Sequence, residues 1–240
     1  MIVQTMTPVE VYREIDKDMN EVVRWWMGKR KMLTDIAKWT VKLPWKRWFE
    51  YESSRRNRFI VQSIIMGRKY NDESLTGFVA LQKMERGYAA YVARFPWQRN
   101  ASRVAYLPHV FDRYRDPERG NVNKTGIDLV KHFMERNFSG FTSHGDKFSG
   151  KSVRYKGRDN VTMSIADGVL LGEDVEDIFV ARTFITYDMA GELQAEEFER
   201  KRKYVKSQKE IMDEVNAIRK GNEQEMRQAA IDEYMRTYKT

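Results

Sequence analysis

The chain contains no cysteine. Disulfide frameworks, thiolate metal sites and thiol nucleophiles are thereby excluded, and a reducing cytoplasm is the expected setting. Histidine is almost as scarce. The three present, His109, His132 and His144, lie 23 and 12 residues apart without an H-E-x-x-H pattern, so no metal site is expected. The chain also lacks the G-x-x-x-x-G-K-[ST] phosphate loop and the G-x-S-x-G elbow, and no cofactor is expected. No apolar run approaches the roughly 20 residues that span a bilayer. The opening residues mix charges without an apolar stretch, so neither a membrane anchor nor a secretory signal is expected.

What is present is distributed unevenly. Five of the six tryptophans (Trp25, Trp26, Trp39, Trp45 and Trp48) fall between Arg24 and Arg58. That stretch holds eleven Lys/Arg against three Asp/Glu, a surplus of eight that equals the net charge of +8 for all 240 residues. Aromatic faces among unpaired cations suit a polyanion with stackable parts, with single-stranded nucleic acid first and an anionic membrane surface second. Candidate contacts are Arg24, Lys31, Lys38, Lys42, Trp45, Lys46, Arg47, Trp48, Arg55 and Arg56. Trp26 and Trp39 follow the apolar stripe of a helix and are expected in the core. The run from Lys42 to Phe49 alternates cation and aromatic, which fits base stacking with phosphate contacts, or a tryptophan corner packed on a sheet.

The periodicities outline an α+β fold in three parts: residues 1–56, 57–190 and 191–240. Thr7-Pro8 with Glu10 reads as a capping box opening a helix of about thirty residues, bent near Gly28 and ended by Leu43-Pro44. Strands are expected at 59–66, 75–83, 88–95 and 103–107, forming an antiparallel meander. Short helices follow to about Arg115 and over 127–137, then a loop at 138–150. Further strands are expected at 152–156, 161–166, 169–171 and 178–187, with Asp167-Gly168 as a hairpin signal. Residues 191–240 read as a charged helical tail and a candidate surface for homo-oligomer assembly.

One local constellation suggests chemistry. In Leu107-Pro108-His109-x-x-x-Arg113-Tyr114-Arg115, histidine and arginine four residues apart share one side of a short helix. An imidazole can exchange the 2′-OH proton near neutral pH while guanidinium groups hold the scissile phosphate. The segment from Arg154 through Lys156 to Arg158 supplies further cations. His109-x-x-x-Arg113-Tyr114, the apolar Ile127, Leu129 and Val130, a basic hairpin and a strand ending Thr183-Phe184-Ile185-Thr186 together resemble the core of RelE/barnase-like ribonuclease toxins over residues 103–186. The resemblance implies metal-independent RNA cleavage on an antiparallel sheet, with His109, Arg113 and Arg115 at the site. The long N-terminal helix, the extra strands before residue 95 and the tail depart from such toxins.

Three functions remain open on sequence grounds. The first is a nucleic-acid-binding protein without catalysis, using the Arg24–Arg58 surface. The second is a metal-independent ribonuclease, with His109 as acid/base and Arg113, Arg115 and Arg158 on the phosphate. The third is a scaffold subunit docking an acidic partner.

Overall fold

The computed structural model describes residues 1–40, 42–69, 74–93, 103–116, 122–137, 146–147 and 161–189. They belong to one compact unit, Met1–Ala190. The expected strand at 152–156 and the helical tail 191–240 lie outside the described residues.

The fold is α+β. Helix α1 runs Pro8–Met27. Thr7 Oγ1 accepts from Glu10 N while Glu10 Oε2 accepts from Thr7 N at 2.8 Å, so the capping box forms as the sequence indicates. The expected thirty-residue helix is two helices. A turn at Gly28–Lys29 separates α1 from α2, Arg30–Trp39. Nine described strands then follow: β1 Trp45–Glu52, β2 Arg58–Ile65, β3 Ser74–Met84, β4 Gly87–Ala93, β5 Arg103–Tyr106, β6 Asp146–Lys147, β7 Val161–Ile165, β8 Gly168–Val175 and β9 Ile178–Ile185. Helices α3 (Pro108–Arg115) and α4 (Gly126–Asn137) are inserted between β5 and β6.

The strands form one sheet in the order β1-β2-β3-β4-β5-β9-β8-β7-β6. Only β5 and β9 pair in parallel; every other described pairing is antiparallel. Helices α1 and α2 cover one face, packing Tyr12, Ile15, Met19 and Trp26 with Phe59, Val61, Phe78 and Tyr91. Helices α3 and α4 cover the other, packing Phe111, Tyr114 and Phe133 with Ile60, Val79, Tyr106 and Phe184. Coverage on both faces explains why β2 is buried almost throughout, Gln62 and Ser63 included, instead of alternating.

Polar contacts fix how the helices sit. Tyr12 Oη lies 2.8 Å from Val104 O and 3.1 Å from Val92 O, anchoring α1 over β4 and β5. Gln82 Nε2 donates to Val3 O at 2.7 Å, and Tyr91 Oη donates to Gln82 Oε1 at 2.6 Å, so the first residues are held to the sheet. On the opposite face Asp167, in the β7–β8 turn, receives Tyr114 Oη, Arg136 Nε and Nη2, and Asn137 Nδ2. Burial pushes the Asp167 carboxyl up, but these donors outweigh it and hold its pKa below the ordinary value.

Candidate nucleic-acid interface

The cation–aromatic run singled out in the sequence becomes an edge strand, β1, and strand alternation divides it between the two faces of the sheet. Trp45, Phe49 and Tyr51 pack on the α1/α2 side. Arg47 shares their side, its guanidinium 5.6 Å from the Phe49 ring centroid. Trp48 packs on the α4 side, with Lys46 directed the same way. Trp25 stacks on Tyr51 at 4.5 Å and carries Lys29 Nζ 5.5 Å above its ring. Trp26 is buried as expected.

Trp39 overturns its expected place in the core: it is 80% exposed. On α2 the buried residues are Leu33 and Ala37, one turn apart. Trp39 lies six residues beyond Leu33, about 120° around the helix from that stripe. Met32 and Trp39, seven residues apart, form one solvent-facing row, and Lys31 and Lys38 form the row beside it. Asp35 sits between the two lysines, yet no ion pair forms. Among the described residues no carboxylate lies within ion-pair distance of Arg24, Lys31, Lys38, Lys42 or Lys46, all exposed. Arg68 secures the end of α2 by donating to Lys38 O at 2.8 Å and Thr40 O at 2.6 Å, which satisfies carbonyls the helix leaves free.

Arg55 and Arg56 sit in the β1–β2 turn and differ from these. Arg55 is engaged with Glu14 and lies 3.3 Å from Asp18 Oδ1. Asp18 is buried and also accepts from Ser53 Oγ and Asn57 Nδ2, at 2.7 and 2.6 Å. Arg56 is exposed, with φ 60. The unpaired charge therefore concentrates between Arg24 and Arg47, where the sequence has eight Lys/Arg and the single acid Asp35.

His109 and Arg113 do come together. Arg113 Nε donates to His109 Nε2 at 3.2 Å across one turn of α3. Arg113 lies 3.9 Å from Asp116 and Arg115 lies 3.8 Å from Asp112. Lys156 and Arg158 fall outside the described residues. Helix α3 packs on the sheet face opposite α2, and β5, which leads into it, is four strands from β1. At roughly 4.8 Å per strand that separation is about 19 Å. The histidine pair and the α2 surface are therefore separate places.

A cleft of about 410 Å³ lies between β1 and α4, lined by Trp48, Lys124, Asp128, Lys131, His132 and Glu135 among others. Trp48 Nε1 donates to Glu135 Oε1 and Lys131 Nζ to Glu50 Oε1, each at 2.7 Å. Burial, followed by the charges of Lys124 and Arg136, lowers the pKa of His132 and favours the neutral imidazole. Counting histidines for metal-ligand spacing passes over this site. Its signal was the helical spacing of Asp128, Lys131, His132 and Glu135, which sets all four on one side of α4. No group of three or more potential metal ligands occurs among the described residues, and no described helix is long and apolar enough to cross a membrane.

Comparison of the chain with protein-family models, with characterised proteins and with solved structures finds no match.

Proposed function

We propose that this protein binds single-stranded nucleic acid through the solvent face of α2 and the cations flanking it, without catalysis of its own. The observation that carries this reading is the exposed Trp39 indole, 80% open to solvent beside the unpaired Lys31 and Lys38. An exposed indole offers a stacking surface worth about 1–3 kcal/mol per base, largely independent of sequence. Neighbouring lysines take the phosphates and make binding salt-dependent. Arg24 and Lys42, both exposed, extend the cationic surface. Anisotropy titrations with labelled single-stranded RNA, single-stranded DNA and duplex DNA at about 50 and 200 mM salt test the reading. Salt-sensitive binding with a preference for single strands is the expected outcome. Absence of binding at both salt concentrations overturns it and leaves the surface as a docking face for an acidic protein.

The hydrogen bond between His109 and Arg113 supports a second reading, a metal-independent ribonuclease. RNA shortened in the presence of EDTA by the native chain, but not by His109→Ala, would establish it. Intact RNA with both proteins removes it.

A further inference from the structure

We propose that the cleft between β1 and α4 is a subsite for one nucleotide, taking the base against Trp48 and the phosphate beside Lys124. Its volume of about 410 Å³ suits a small ligand of that size. Trp48 is a half-buried edge-strand residue, packed against the core on the α4 side. The 2.7 Å hydrogen bond from its Nε1 to Glu135 holds it as a fixed wall. A base can stack on such a wall without first ordering it.

The charges lining the cleft fall into two groups. Glu135 is occupied by Trp48, and Lys131 by Glu50 at 2.7 Å. Lys124, Asp128 and His132 have no side-chain hydrogen bond or ion pair among the described residues. The open groups are therefore one ammonium, one carboxylate and one imidazole around an aromatic wall. A carboxylate accepts the ring and exocyclic N–H groups of a base, as side-chain carboxylates do when they read base edges. An ammonium holds phosphate as a point charge. A neutral imidazole offers both a donor and an acceptor for the sugar hydroxyls or the base edge. A mononucleotide presents complementary groups for all three, whereas a bare anion would use only Lys124 and be repelled by Asp128. The site lies on the opposite side of the sheet from α2, so it stands or falls independently of the α2 surface.

Shared chemistry leaves two sources, a free nucleotide or one residue of a strand. Calorimetric titration of the full chain with AMP, GMP, CMP, UMP and inorganic phosphate addresses the first; anisotropy with a short single-stranded RNA addresses the second. The variants are Lys124→Ala and Asp128→Asn, both at exposed positions where the fold is insensitive, and Trp48→Phe, which keeps an aromatic in place. At least one monophosphate binds more tightly than inorganic phosphate; Lys124→Ala and Asp128→Asn each weaken it about tenfold, the loss of one charge-assisted hydrogen bond, and Trp48→Phe weakens it through loss of the Glu135 tether. If monophosphates fail to bind but Lys124→Ala and Asp128→Asn weaken the RNA, the nucleotide arrives as part of a strand and the subsite stands. If inorganic phosphate binds as well as every monophosphate, or if none of the three variants affects any ligand, the proposal is overturned. Loss of RNA binding in Trp39→Ala alone, with all three cleft variants silent, sinks this subsite while leaving the α2 reading intact.

Discussion

Trp48 and Glu135, 87 residues apart in sequence, meet at 2.7 Å through the indole Nε1 and a carboxylate oxygen. The hydrogen bond fastens the edge strand β1 to α4, and Lys131–Glu50 repeats the link one turn earlier along the helix. An edge strand has only one neighbour, so side-chain ties of this kind limit its fraying. Glu135→Ala is expected to cost about 1 kcal/mol, and Trp48→Ala about 2–3 kcal/mol as apolar surface returns to water. A double-mutant cycle by urea denaturation measures the pair directly. A coupling of zero would show that the hydrogen bond holds nothing.

Asp18 is expected to be more costly. It is buried beneath the β1–β2 turn, accepting from Ser53 and Asn57 with Arg55 alongside. Asp18→Ala strands two buried donors, at about 3 kcal/mol. For a unit of this size that corresponds to roughly 6–12 °C in Tm by calorimetry. A fall in Tm of no more than about 2 °C would mean that water replaces the carboxylate.

Stability is expected to fall steeply in acid. Hydrogen bonds from Lys17, then the Met1 ammonium and Arg55, outweigh burial and lower the Glu14 pKa from 4.5 to about 2. Asp167 is also depressed. A carboxylate depressed in the folded state contributes stability above its unfolded pKa and loses it as pH falls through the folded value. The native chain therefore weakens progressively between about pH 4.5 and 2. Glu14→Gln is less stable at pH 7, and its stability changes less across that window. Parallel pH profiles for the two proteins would contradict the assignment.

Much of the fold was legible because burial writes periodicity into the chain. The strands from Phe59 to Ala93, the Thr7 capping box and the Asp167-Gly168 hairpin all stand where their residues indicate. β1 was not legible as a strand. At an edge, with Lys46, Arg47, Glu50 and Glu52 exposed, its composition reports solvent and not pairing. Trp39 was misplaced by helix geometry. Leu33, Ile36 and Trp39 are each three residues apart, and every step of three turns back about 60° from the stripe. Two such steps carry Trp39 to the solvent side. The cation-rich, aromatic character of the Arg24–Arg58 stretch was readable as composition, but sequence could not sort its aromatics. Trp45 packs on the α1/α2 side and Trp48 on the α4 side, where it also lines the cleft, and Trp39 is open where packing was expected.

Exposure makes Trp39 separable from the fold. Trp39→Ala is expected to change stability by less than about 0.5 kcal/mol, as surface substitutions do. A larger drop in chemical denaturation would show that the indole packs against something and is not free to stack.

The most direct measurement is an anisotropy titration of labelled single-stranded RNA against the native chain, Trp39→Ala, and the triple variant Lys31→Ala/Lys38→Ala/Lys42→Ala, at about 50 and 200 mM salt. Trp39→Ala is expected to weaken binding by about 1–3 kcal/mol with the salt slope unchanged. The triple variant is expected to weaken it and reduce the log–log salt slope by about 2, close to 0.7 for each phosphate no longer neutralised. Native affinity and native slope in both variants would contradict the assignment of α2 as the nucleic-acid interface.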